Sequence, residues 1–97
     1  MNREREDHLP TVSIIILNYN GKKYVDRCFN SITRISYPRD KYEVIMIDNG
    51  SSDGSVEYVR KKYPWVKTSP LNKNYGFTGG NNAGVRLAKG DYVVFLN

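Results

Sequence analysis

The sequence predicts an α/β fold, a doubly wound and mainly parallel sheet of about four strands with helices on both faces. Three observations predict it. Short β-branched runs alternate with segments whose apolar residues recur at helical spacing, in the order β-α-β-α-β-α-β. The runs "TVSIIIL", "YEVIMID" and "DYVVFL" are apolar almost throughout, as strands covered on both faces are. Right-handed crossovers between parallel strands then place helices on both sides of the sheet.

The elements follow in order. Residues 11–17, "TVSIIIL", are too short and too β-branched for a helix and read as the first strand. "NYNG" supplies turn residues. From Lys22 the pattern becomes helical, with Tyr24, Val25, Cys28, Phe29, Ile32 and Ile35 at three- and four-residue steps. Pro38 ends this helix, because the residue before a proline avoids the helical region. Residues 42–48, "YEVIMID", form the second strand, and "NGSSDG" is a loop. Ser55 is placed to cap a helix in which Val56, Val59 and Tyr63 share a face, and Pro64 stops it. Residues 66–69 give a short third strand. The loop "LNKNYGFTGGNN" leads to a helix over about residues 80–88, with Gly90 past its end. Residues 91–96, "DYVVFL", are the fourth strand.

Composition bounds the function. A chain of 97 residues is one domain or part of one. Residues 1–10, "MNREREDHLP", are charged, lack the apolar segment of a signal peptide and are expected to be a disordered leader. Its His8 is an improbable catalyst. Cys28, the one cysteine, excludes an internal disulfide and falls on the apolar side of the first helix, as a packed thiol does. The net charge of +5 comes from "KKYVDR", "RDK" and "RKKYPWVK". Such charge attracts nucleic acid, anionic lipid or phosphorylated ligands, or simply solvates a helix face. Neither a helix-turn-helix, zinc spacing nor an aromatic RNA-binding signature accompanies it, so no nucleic-acid partner is expected.

Ligands of doubly wound sheets bind at the carboxyl ends of the strands. Here each carboxyl end carries polar residues: "NYN", "DNGSSD", "LNKNYG" and Asn97. The amino ends are expected to carry no comparable concentration. Asp48, at the end of the second strand, offers a carboxylate to a ribose or a ring N–H, or else caps its own loop through backbone N–H groups. Asp53 precedes a helix and reads as a loop or helix cap. Tyr19 is suited to stack on a base with Asn18 and Asn20 bonding its edge, and equally all three suit a turn. "GFTGGNN" opens the third helix, where N–H groups suit a diphosphate and Gly79 and Gly80 would admit a ligand to the backbone. Neither a dinucleotide fingerprint nor a P-loop follows the first strand.

Taken in order, "VSIIILNYNG", "VIMIDNGSSDGS" and "NYGFTGGNNAGVRLAKGDYVVFLN" resemble the start of a family 2 glycosyltransferase with the GT-A fold. The similarity covers residues 11–97, and the ending "FLN" most resembles members that build cell-surface polysaccharides, including rhamnosyltransferase-like enzymes. The resemblance implies a partial GT-A domain with strand order 3-2-1-4. It implies that Asp48, with Asn49 and Ser51 beside it, meets the nucleotide base, usually uracil. Leu17, Asn18, Tyr19 and Asn20 would line the base and ribose, and Gly80 and Asn81 would close over the nucleotide. Asn97 matches the first position of the family's Asp-x-Asp motif, commonly Asn-x-Asp here, whose next Asp would ligate Mn²⁺ or Mg²⁺.

The sequence stops at Asn97, before that aspartate. It is therefore expected to be the nucleotide-binding half of an inverting enzyme, with no catalytic residue of its own and an incomplete metal site. The implied partner is a UDP- or dTDP-linked sugar. The implied location is cytoplasmic, peripheral to the inner face of the membrane. With the order 3-2-1-4 the strand at 91–96 is an apolar edge, and self-association through it is expected. The alternatives are another doubly wound nucleotide-binding protein, such as a nucleotidyltransferase, or a non-enzymatic interaction module using the basic face.

Overall fold

A computed structural model describes residues 8–96. Most of the expected leader and Asn97 lie outside the described residues. Four strands, β1 (Val12–Asn18), β2 (Tyr42–Asp48), β3 (Lys67–Pro70) and β4 (Tyr92–Leu96), form one sheet in the order β3-β2-β1-β4. All three pairings are parallel. The crossovers carry helices α1 (Lys22–Ile32), α2 (Ser55–Lys62) and α3 (Gly76–Leu87), with a single 3-10 turn at Arg39–Lys41. The expected fold class and strand order are both found.

Strand periodicity divides the core. Ile14, Ile16, Val44 and Met46 point to one face, where Val25, Phe29 and Ile32 of α1 and Val56 and Val59 of α2 cover them. Ile15, Ile45 and Ile47 point to the other, under α3. That second layer is thin because α3 lies directly on the sheet. A Cβ at Gly84 would stand 2.6 Å from Ile15 Cγ2, and one at Gly80 2.3 Å from Leu17 Cδ1. The close approach requires glycine at both positions.

On the first face α1 and α2 are clasped together. Asp26 accepts hydrogen bonds from the Tyr63 hydroxyl and from the Tyr58 hydroxyl at 2.7 Å, and pairs with Lys62 at 3.0 Å. The Tyr63 and Tyr58 hydroxyls, with Lys62, hold its carboxyl down to about 2. Cys28 is half-buried against this layer, and burial pushes its thiol up, as fits a packed thiol.

Several expectations are corrected. Helix α1 ends at Ile32 rather than running to Pro38, and Ile35 is exposed. The hydroxyls of Ser31 and Thr33 donate to the carbonyls of Arg27 and Asn30, and the chain tightens into i→i−3 bonds at Arg34 and Ile35. Helix α3 begins at Gly76, four residues before Gly80, so the glycines lie within it. Ser55 is the first residue of α2 rather than its cap. The preceding Gly54 is left-handed, and Asp53 supplies the acceptor. Strand β4 is not buried on both faces: Tyr92, Val94, Phe95 and Leu96 are exposed, because no described strand lies beyond it. Pro10, at the end of the expected leader, accepts a hydrogen bond from the Tyr37 hydroxyl.

The amino ends of the strands also differ from expectation. Glu43 accepts from the Ser13 hydroxyl at 2.6 Å and the Lys89 N–H at 2.7 Å, and pairs with Lys67 at 2.6 Å. Asp91 accepts from the N–H and hydroxyl of Thr11. Polar residues scattered along the sequence are thus gathered by the parallel register into a closed seam.

Candidate functional site: a carboxylate at the end of β2

The paired register brings Asn18 level with Asp48 at the carboxyl ends of β1 and β2. Asp48 is only 2% exposed, yet it carries an ionisable group. Its neighbours make that burial tolerable. Oδ1 accepts from Asn18 Nδ2 at 2.8 Å and from the Ser51 hydroxyl at 2.7 Å, and Oδ2 accepts from the Ser51 N–H at 2.8 Å. Both meanings weighed for Asp48 bear on this geometry. The carboxylate does cap its own loop, and it does so without a cation: no salt bridge to it is found among the described residues.

Ser51 is the hub. Its hydroxyl accepts from the Asn20 N–H at 2.8 Å and from Asn18 Nδ2 at 3.4 Å while donating to Asp48. Asn20, held at φ +50°, returns the link by accepting from the Ser52 N–H at 2.8 Å. The β1–α1 and β2–α2 loops are therefore one hydrogen-bonded unit. Asp53 extends it. Burial pushes the Asp53 carboxyl up, but the Ser55 hydroxyl and the N–H groups of Lys22 and Ser55 outweigh this and hold it below its ordinary value. One carboxylate thus caps the first residue of both α1 and α2.

Asn49 fixes the third loop. Its side chain accepts from the Tyr75 N–H at 3.0 Å and donates to the Gly76 carbonyl at 3.0 Å. The Leu71 N–H reaches the Asp48 carbonyl at 2.8 Å. Gly50, at φ +80°, lets the second loop lie against the backbone of Lys73, where a Cβ would stand at 2.9 Å. Asn49 thereby anchors the entry to α3.

Of the nine expected nucleotide-binding residues, Asn18, Asn20, Asp48 and Ser51 form one network, and Asn49 adjoins it. Tyr19 stands beside it, 54% exposed. Leu17 and Gly80 pack together, so the space at Gly80 is used by the sheet rather than left open to a ligand. Asn81 follows on α3, half-buried. Asn97, the expected metal position, lies outside the described residues. Among the described residues no group of three or more His, Cys, Asp or Glu could hold a metal ion. Tyr75 is exposed in the third loop with Lys73 over its ring at 5.1 Å.

Two hollows flank the network. One of about 560 Å³ is lined by Asn20, Lys22, Lys23, Asp53 and Tyr58, and so sets two cations beside the shared helix start. The other, about 670 Å³, lies between α1 and the ends of β1 and β4 and includes Asn18, Tyr19 and Leu96. Asp48 lines neither hollow, and of β4 only Leu96 lines the larger one.

Comparison with known proteins places this geometry in a family. Glycosyltransferase AglE of Haloferax volcanii is 35% identical over 92 residues, which is 92% of this chain and 30% of that protein. Poly(ribitol-phosphate) beta-N-acetylglucosaminyltransferase TarS of Staphylococcus aureus is 31% identical across 88% of this chain and 15% of its own length. Among solved structures, mannosyltransferase PcManGT from Pyrobaculum calidifontis, in complex with GDP-Man and Mn²⁺, superposes with a TM-score of 0.82 at 28% identity. That match covers 91% of this chain and 27% of the mannosyltransferase. TarS in complex with UDP-GlcNAc superposes with a TM-score of 0.81 at 29% identity, over 89% of this chain and 26% of that one. The chain thus spans less than a third of the length of these relatives. The family model described as Glycosyl transferase family 2 matches residues 13–97, and the chain belongs to that family.

Proposed function

We propose that this chain is the nucleotide-binding half of an inverting glycosyltransferase that moves a sugar from a UDP- or dTDP-linked donor to an acceptor in cell-surface polysaccharide or glycan synthesis. The observation that carries the reading is Asp48: a buried carboxylate at a strand end, held by neutral donors, with an exposed aromatic ring beside it. Asp48 accepts the ring N–H of the base, Tyr19 stacks on its face, and Asn20 and Asn81 border the ribose and phosphates. The "FLN" ending and the resemblance it carries support a rhamnosyltransferase-like subgroup.

In the reaction proposed for the whole enzyme, an acceptor hydroxyl attacks the anomeric carbon from the face opposite the nucleotide. The bond to the diphosphate oxygen breaks with its electron pair, and a carboxylate takes the hydroxyl proton. A bound Mn²⁺ or Mg²⁺ would stabilise the charge on the departing diphosphate. The described residues bind and orient the nucleotide, and the 97-residue chain is expected to bind it without turning over donor.

The location proposed is cytoplasmic, at the inner membrane surface; no helix among the described residues is long and apolar enough to cross a membrane. Self-association through β4 belongs to the same reading, supported by the exposed Tyr92, Val94, Phe95 and Leu96. A sedimentation series should show dimer at high concentration and monomer in Val94→Lys.

The function is tested by comparing UDP with 3-methyluridine diphosphate, which lacks the ring N–H, by calorimetry. A lost hydrogen bond to a charged acceptor should weaken binding about tenfold or more. Equal affinity for the two would remove Asp48 from base recognition.

A further inference from the structure

We infer that the basic and aromatic rim at the amino ends of the strands is a docking surface for an anionic lipid bilayer, with Arg39 at its centre. This deepens, and rests on, the reading that the enzyme works at the inner membrane surface, and it names the face that meets the lipid.

The stretches "RDK" and "RKKYPWVK", two sources of the net charge, are well separated in the sequence. The fold brings them together. Each crossover helix runs back against its strands, so the ends of α1 and α2 and the turn Arg39–Lys41 before β2 all arrive at the amino ends. There the Arg39 guanidinium stands over the Tyr42 ring at 4.9 Å and over the Trp65 ring at 5.0 Å. Trp65 is itself fixed edge-on against Phe29 and Tyr63. Arg39 is exposed on this rigid base and makes no ion pair among the described residues. Its planar fork of N–H donors is therefore held ready for phosphate.

The carboxylates nearby are engaged. Glu43 pairs with Lys67, Asp26 pairs with Lys62, and Asp91 accepts from the N–H and hydroxyl of Thr11. Arg34, just past α1, and Lys61, in the last turn of α2, are exposed and make no ion pair among the described residues. Asp40, exposed in the same turn as Arg39, offsets one of these charges, and the rim stays net positive. Cations suit a helix C-terminus, which accounts for Lys61. It does not account for Arg39, which precedes a strand and rests on two rings.

Shape selects the occupant. Neither hollow is lined by any of these cations. They stand on three separate segments of an open rim, which suits many phosphates spread over a plane rather than one small anion in a pocket. A bilayer also matches the half-buried rings of Tyr42 and Trp65, which suit the headgroup level, and the exposed Ile35 beside Arg34. Docked this way, the carboxyl ends of the strands point away from the lipid.

The test is binding to phosphatidylcholine vesicles with and without phosphatidylglycerol. The wild type should bind only the anionic vesicles. Each cation near such a surface contributes about fivefold, so the triple variant Arg34→Gln, Arg39→Gln, Lys61→Gln should bind them about a hundredfold more weakly. The triple variant Lys22→Gln, Lys23→Gln, Lys73→Gln removes the same charge elsewhere and should bind nearly as the wild type does. Equal loss in both would make binding a matter of net charge and overturn the inference. Trp65, the one tryptophan, gives a readout that needs no variant. Acrylamide should quench its fluorescence less on anionic vesicles, and unchanged quenching of bound protein would place the rim away from the lipid. Tighter binding of duplex DNA than of these vesicles at equal salt would assign the rim to nucleic acid instead. Failure of the wild type to bind anionic vesicles would overturn the membrane location together with this inference, whereas binding that survives the rim variant would overturn the inference alone.

Discussion

The two ends of the sheet each hold a carboxylate among N–H and O–H donors, but they balance its charge differently. At the amino end Glu43 binds the Ser13 hydroxyl and the Lys89 N–H and is neutralised by Lys67 at 2.6 Å. At the carboxyl end Asp48 is buried more deeply and met only by neutral donors. The first arrangement closes a seam between β1, β2, β3 and the turn into β4. The second holds a buried carboxylate with no ion pair among the described residues, where three loops converge. Polarity alone does not separate the two ends; what differs is whether a cation pairs with the carboxylate.

Removing each carboxylate should expose the difference. The largest effect is expected for Asp48→Ala. It leaves Asn18 Nδ2 and the Ser51 N–H without their acceptor in a buried place, so urea unfolding should show a loss of about 3 kcal/mol, and UDP binding should vanish. If Asp48→Ala kept full stability, the network would be ornament rather than structure, and the contrast between the two ends would fail.

A smaller effect is expected for Glu43→Gln, about 1 kcal/mol, because the Lys67 partner is exposed and screened, with UDP affinity unchanged. The same variant tests the pH dependence. Burial pushes the Glu43 carboxyl up from its ordinary 4.5, but Lys67, Ser13 and Lys89 outweigh this and bring it to about 2. A carboxyl lower in the folded chain contributes stability that is fully present above about 4.5 and is lost as pH falls towards about 2. Unfolding curves across that window should be flatter for Glu43→Gln than for the wild type. Asp26, also near 2, keeps part of the acid sensitivity in both.

The strands were readable because β-branched runs leave little choice, and β1 and β2 fall within a residue of their expected limits. The helix limits were harder for identifiable reasons. Ile35 continues the helical spacing, but the hydroxyls of Ser31 and Thr33 turn back on their own backbone first. Gly79 and Gly80 read as ligand space at a helix start, whereas Gly80, together with Gly84 further along, is the contact surface of α3 on Leu17 and Ile15. A pattern of large apolar residues cannot signal a helix that packs through the absence of side chains. The amino-end seam was invisible because Ser13, Glu43, Lys67 and Lys89 meet only through the parallel register. At the carboxyl end Asp48 stood out as a charge ending an apolar run. Its neighbours Asn18 and Ser51, expected to touch nucleotide, hydrogen-bond Asp48 in the structure.

The central claim, that the unneutralised end of the sheet is the receptive one, is tested most directly by following backbone amide shifts while UDP is added. The account predicts shifts concentrated at residues 17–20 and 48–51, with Thr11, Ser13, Glu43 and Lys89 unmoved. Shifts centred on the amino-end seam or on β4, with residues 48–51 silent, would contradict it.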